Sequence, residues 1–94
     1  MIIGSCTITL YLPGVRSLKE KRSIVKSLQA RLRNQFNVSV AEVDAQDAYG
    51  RAVLGVACVS ASGDYVRGQI EAVLRWIEHE RPDVPVLDYQ IELL

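Results

Sequence analysis

The hydrophobic residues of this chain alternate between two periods, and that alternation restricts the fold more than any other feature. From Ile2 to Leu12 the even positions are Ile2, Gly4, Cys6, Ile8, Leu10 and Leu12, while the odd ones include Ser5, Thr7, Thr9 and Tyr11. An apolar residue at every second position marks a strand buried on one face. Pro13-Gly14 then signals a turn, and Ser17-Leu18-Lys19-Glu20 has the form of a capping box. In that motif Ser17 accepts from a free helix N–H and Glu20 reaches back to the Ser17 N–H. Leu18, Ile24, Val25, Leu28, Leu32 and Phe36 follow, falling within an arc of about 120° at about 100° per residue and predicting an amphipathic helix of about five turns that Asn37 ends.

Val38 to Asp44 is rich in β-formers, the polar stretch Ala45-Gln46-Asp47-Ala48-Tyr49-Gly50 reads as a loop, and Arg51 to Ser60 is apolar at both odd and even positions. The pair predicts a hairpin whose second strand is central. Ser60-Ala61-Ser62-Gly63-Asp64 supplies turn chemistry and a cap, Val66, Ile70, Val73, Leu74 and Ile77 form a second helical stripe, and Pro82 stops it near Arg81. Leu87, Tyr89, Ile91 and Leu93 alternate with Asp88, Gln90 and Glu92 as a last strand. The order is βαββαβ. Right-handed crossovers put both helices on one face of a four-stranded antiparallel sheet, so the expected fold is an α+β ferredoxin-like plait. At 94 residues the chain has room for one such domain, spanning 1–94.

Cys6 and Cys58 lie far apart with no C-x-x-C and no neighbouring His, so they read as reduced core residues rather than a zinc site or a disulfide framework. The first charged side chain is Arg16, so there is no basic leader, and no segment approaches the ~20 apolar residues of a membrane helix. A cytoplasmic protein without membrane contact is the expectation. The formal net charge of +0 hides a strong asymmetry: residues 1–40 carry seven cations and one anion, residues 41–94 four cations and ten anions. Such a chain has a bipolar surface able to steer an anionic partner to one end or to pair head to tail with itself.

The densest charge is Arg16-Ser17-Leu18-Lys19-Glu20-Lys21-Arg22, continued by Lys26 and Arg33. Lys19, Arg22, Lys26 and Arg33 fall within about 60° of one another on the helical wheel, roughly 115° from the centre of the apolar arc. This cationic stripe, with Arg16 at its entrance, is a candidate site for RNA phosphates or another anionic surface, although a solvated, solubilising helix face has the same composition. Lys21 falls inside the apolar arc, so it must either snorkel or meet a carboxylate, and Glu42 on the second strand is a candidate partner, for structure or for gripping a ligand. Glu71 and Arg75 are spaced for an i,i+4 pair, and Tyr65 and Trp76 flank the second helix's apolar stripe as core-edge residues.

The sheet face lacks the aromatic platform of RNA-recognition plaits: Tyr11 stands at one end of the first strand, and the third offers either Val53, Gly55, Ala57 and Val59 or Leu54, Val56 and Cys58. A third strand apolar on both sides fits either a face covered in a homodimer or a face of small residues exposing little. No metal site, cofactor-binding motif, nucleophile elbow or phosphate-binding loop is present, and no catalytic residue is assigned. A phosphate-ester enzyme resembling the acylphosphatase plaits would draw on Arg16 and Asn37, but Pro13-Gly14-Val15-Arg16 lacks that family's repeated glycines. The expectation is a non-enzymatic binding protein that docks its basic first helix on RNA or the ribosome. The alternative is a protein-interaction or homodimerising module whose open sheet face and acidic second half meet a protein partner.

The strings Arg16-Ser17-Leu18-Lys19-Glu20-Lys21-Arg22 and Phe36-Asn37-Val38-Ser39-Val40-Ala41-Glu42-Val43 resemble the YlxP-like family of bacterial proteins, a domain-of-unknown-function family of about this length. The resemblance spans essentially the whole chain. It implies a ferredoxin-like fold and no established activity, and the frequent placement of members near ribosome-maturation and translation-initiation genes implies ribosome or RNA work by association only. The matched strings carry Ser17, Lys19, Lys21, Arg22 and Glu42, none of which has an assigned catalytic role in the family.

Overall fold

The computed structural model describes residues 1–94. Its elements run β1 (Ile2–Tyr11), α1 (Leu18–Gln35), β2 (Ser39–Asp44), β3 (Arg51–Ser60), α2 (Gly63–Glu80) and β4 (Val86–Leu93). The strands form one sheet in the order β2-β3-β1-β4, antiparallel at every junction. This is the ferredoxin-like α+β arrangement, and β3 lies inside the sheet as its continuous apolar run requires.

The two-residue period of β1 is expressed directly: Cys6, Ile8, Leu10 and Leu12 are buried under the helices, while Thr7 and Tyr11 face out. Across the register, Cys6 pairs with Val56 and Ile8 with Leu54, so the helix-facing rows of the two central strands meet as one apolar floor. Val25, Leu28 and Leu32 of α1 and Val66, Ile70, Val73 and Ile77 of α2 close it from above. Phe36 and Trp76 join the two helices edge to face at 6.4 Å between ring centroids, a favoured aromatic geometry. Trp76 is thus a core-edge residue as expected. Tyr65 is not: in the first turn of α2 it is about half exposed.

The caps are those the sequence specifies, with one shift. Ser17 Oγ accepts from the Glu20 N–H at 3.1 Å, but Glu20 Oε2 accepts from the Arg16 N–H at 3.2 Å instead of from Ser17. The carboxylate therefore spans the entrance of α1 one residue further out. Helix α1 ends at Gln35 with Phe36 as its cap, one residue short of the expected end. Ser62 caps α2 through its hydroxyl, and α2 stops at Arg81 before Pro82. No helix is long and apolar enough to cross a membrane.

Both cysteines are free and buried, and burial pushes the Cys6 thiol up to about 11 and raises Cys58 as well. A thiol held neutral is a poor nucleophile. In native protein at about pH 8, neither should react with a disulfide reagent on the time scale of an exposed thiol, whereas both should react in denaturant. Fast titration of one thiol in the native state would show that β1 or β3 is less well covered than described.

Candidate functional site

Helix α1 has one face against the core and a flank carrying the cations. Lys19, Arg22, Lys26 and Arg33 are all exposed and, at three- and four-residue intervals with one rung taken by Gln29, run for about 21 Å at the rise of an α-helix. Which side of the molecule they line is fixed by Arg33: its Nη2 donates to the Val40 carbonyl at 2.7 Å, and β2 is an edge of the sheet. The row therefore lies along the β2 edge. Arg31, on the opposite flank, is drawn towards α2, with its guanidinium 4.8 Å from the centroid of the Trp76 ring and 3.5 Å from Glu80 Oε2.

These engagements sort the cations. The chain contains three ion pairs, Lys21–Glu42, Arg31–Glu80 and Arg81–Asp83. Arg16, Lys19, Arg22 and Lys26 thus have no carboxylate within ion-pairing distance, and Arg33 is committed to a backbone carbonyl through one nitrogen. Glu20, the one acid on α1, is turned to the helix entrance, and Glu42 is engaged by Lys21, so neither carboxylate neutralises the row. The Glu20 carboxylate occupies the positive end of the helix dipole where a free anion would otherwise settle. Glu71 and Arg75 do not form the expected i,i+4 pair.

Lys21 plays a different part. It is 1 % exposed, and its Nζ donates to the carbonyls of Ala45 and Ala48, both at 2.6 Å, while standing 2.7 Å from Glu42 Oε2. An ammonium has three donors, and three acceptors surround this one. The two carbonyls take the well-aligned directions; the buried Oε2 lies off the line of a hydrogen bond and is held by charge. Enclosed by these three oxygens and almost wholly buried, the ammonium faces the protein rather than solvent, so the Lys21–Glu42 pair expected from the sequence acts as a clamp that fastens the β2–β3 loop to the first turn of α1. Within that loop Ala45 adopts φ 58, a left-handed conformation costly for a residue with a Cβ. The clamp overrides that cost. Sequence reasoning identified the carboxylate but not the two carbonyls, because loop conformation carries no residue signature when alanine rather than glycine occupies the left-handed position.

Arg16 and Asn37 flank opposite ends of α1, whose 18 residues separate them by about 27 Å. They cannot converge on one phosphate ester. The widest surface concavity, about 480 Å³ between α2 and β4, alternates Arg67, Glu71, Arg75 and Glu78 around Tyr89 and lies away from the basic row. On the open sheet face a shallow trough of about 450 Å³ runs over Ser5, Thr7, Ala41, Val43, Gly55 and Ala57 and continues onto Met1, Ile3 and Val59. No charged side chain lines it.

Comparison with known proteins matches residues 3–91 to a family described as protein of unknown function (DUF503). The chain is also 38% identical over 75 residues to the uncharacterized protein YlxP of Bacillus subtilis (strain 168), covering 80% of this chain and 79% of that protein. The strings around Ser17–Arg22 and Phe36–Val43 that suggested the relationship contain the cap of α1, the Lys21–Glu42 clamp and the first half of the basic row. The chain is a member of the DUF503 family.

Proposed function

We propose that this protein is a non-enzymatic, cytoplasmic binding protein that docks the basic flank of α1 onto the phosphates of structured RNA, ribosomal RNA being the natural candidate. One observation carries the reading. Lys19, Arg22 and Lys26 stand in a helical ladder, exposed and unpaired with any carboxylate, on a domain whose net charge is +0. Free cations in register gain from displacing the counterions condensed on a nucleic acid, whereas paired cations do not.

Electrophoretic or anisotropy titration of a ribosomal RNA fragment tests it. Three phosphate contacts predict that affinity falls roughly 40-fold between about 50 and 200 mM salt. Changing Lys19, Arg22 and Lys26 together to Glu should lower affinity at least about tenfold and flatten the salt dependence. Binding that is indifferent to salt and to the triple substitution would overturn the proposal.

The open sheet face supports a partner less well. Its uncharged trough covers about three strands by seven residues, roughly 300 Å² at ordinary strand spacing. Ordinary monomers carry patches of that size, and a stable interface needs about 800 Å² from each partner. A homodimer through this face would have to recruit the acidic margin of β4.

A further inference from the structure

The form of RNA that the row accepts can be argued further, on the footing of the reading above. Proteins that hold single strands stack successive bases on neighbouring aromatic rings. The exposed aromatics here are Tyr11, Tyr49, Tyr65 and Tyr89, and they stand on β1, the β2–β3 loop, α2 and β4, one to each. None is on α1. The centre of the sheet face presents Ser5, Thr7, Gly55 and Ala57. A strand of unstacked bases finds no second ring to continue on.

What α1 offers is a straight row of charge on a rigid support. Val25, Leu28 and Leu32 seat the helix on the sheet, and the Lys21 clamp fixes its first turn. A rigid row fits phosphates that are already held in a regular backbone; a flexible strand has to lose conformational freedom to match it. Beside the cations, one step round the helix, are the exposed groups Ser23, Ser27 and Asn34, hydroxyl and amide functions that both donate and accept. The wide, shallow minor groove of A-form RNA displays 2′-hydroxyls between its phosphate strands. We infer that the ligand is double-stranded RNA, with α1 lying across the minor groove, Lys19, Arg22 and Lys26 on phosphates and Ser23, Ser27 and Asn34 on 2′-hydroxyls.

The experiment compares three labelled probes of one sequence at low salt: an RNA duplex of about 20 base pairs, its single strand, and the DNA duplex. The RNA duplex should bind at least about tenfold tighter than either, the effect of two or three hydrogen bonds. Substituting Ser23→Ala, Ser27→Ala and Asn34→Ala together, which favours the helix, should bring the RNA duplex down to the DNA value and leave the salt dependence unchanged, because the cations remain. Equal binding of RNA and DNA duplexes, a single strand bound as tightly as the duplex, or an RNA preference that survives the triple alanine variant overturns the duplex inference while leaving phosphate docking intact. Absence of salt-sensitive binding to all three probes overturns both.

Discussion

Lys21→Ala should remove about 3–5 kcal/mol of folding stability, the cost of breaking a buried ion pair from one side. The substitution strands Glu42 Oε2, already without a well-aligned hydrogen bond, and takes the donor from the carbonyls of Ala45 and Ala48. For a domain of this size the loss corresponds to a melting temperature lower by about 15–30 °C, readable by thermal or urea denaturation. Lys21→Met combined with Glu42→Leu should recover part of it, since an apolar pair of similar volume often replaces a buried ion pair without penalty. Recovery stays incomplete because the two loop carbonyls still lack a donor. If Lys21→Ala melts within about 2 °C of the parent, less than the change expected from 1 kcal/mol, the clamp does not hold the loop.

Gly4→Ala is the second large effect, and Gly55→Ala is its control. Both glycines lie in central strands, but on opposite faces. A methyl group on Gly4 would overlap Val66 Cγ1 and come within 3.0 Å of Ile70 Cδ1, and both residues are fully buried under α2. The first turns of α2 have no room to yield except by lifting the helix, so the variant should lose about 3 kcal/mol, the upper range for overpacking. At Gly55 the added methyl would meet Val43 Cγ1 at 2.7 Å, but Val43 is 52 % exposed and can rotate away. Gly55→Ala should change stability by less than about 1 kcal/mol, with the better strand propensity of alanine offsetting the contact. Equal losses at the two positions would mean that α2 sits further from β1 than described.

The two glycines also show where the sequence was legible. Gly4 sits at an inward position of β1, and the period-two pattern identified that face without saying why the residue there is so small; the reason is the close approach of α2, a tertiary fact. The order of elements, the caps of both helices and the central place of β3 followed from periodicity and turn chemistry, because these are local. Lys21 was readable as an anomaly, a cation within an apolar arc, and the need to neutralise it pointed to Glu42. The further partners of Lys21, the capture of Arg33 by Val40 and the stacking of Arg31 on Trp76 depend on backbone and ring positions set by the packed fold, which no residue pattern encodes. For the same reason the row of four cations read from the wheel became three free ones and one partly engaged in the structure.

The bond from Arg33 to the Val40 carbonyl bears on how the protein behaves when concentrated. With a net charge of +0, the molecules lack the mutual repulsion that ordinarily keeps a small domain dispersed. Sheet edges are where such chains join. On β2 one outward carbonyl is already taken by Arg33, and any second β2 strand approaching it would bring its own row of lysines and arginines alongside this one. The row proposed to meet phosphate thus also guards an edge, so variants that neutralise it should be inspected for precipitation as well as for lost binding.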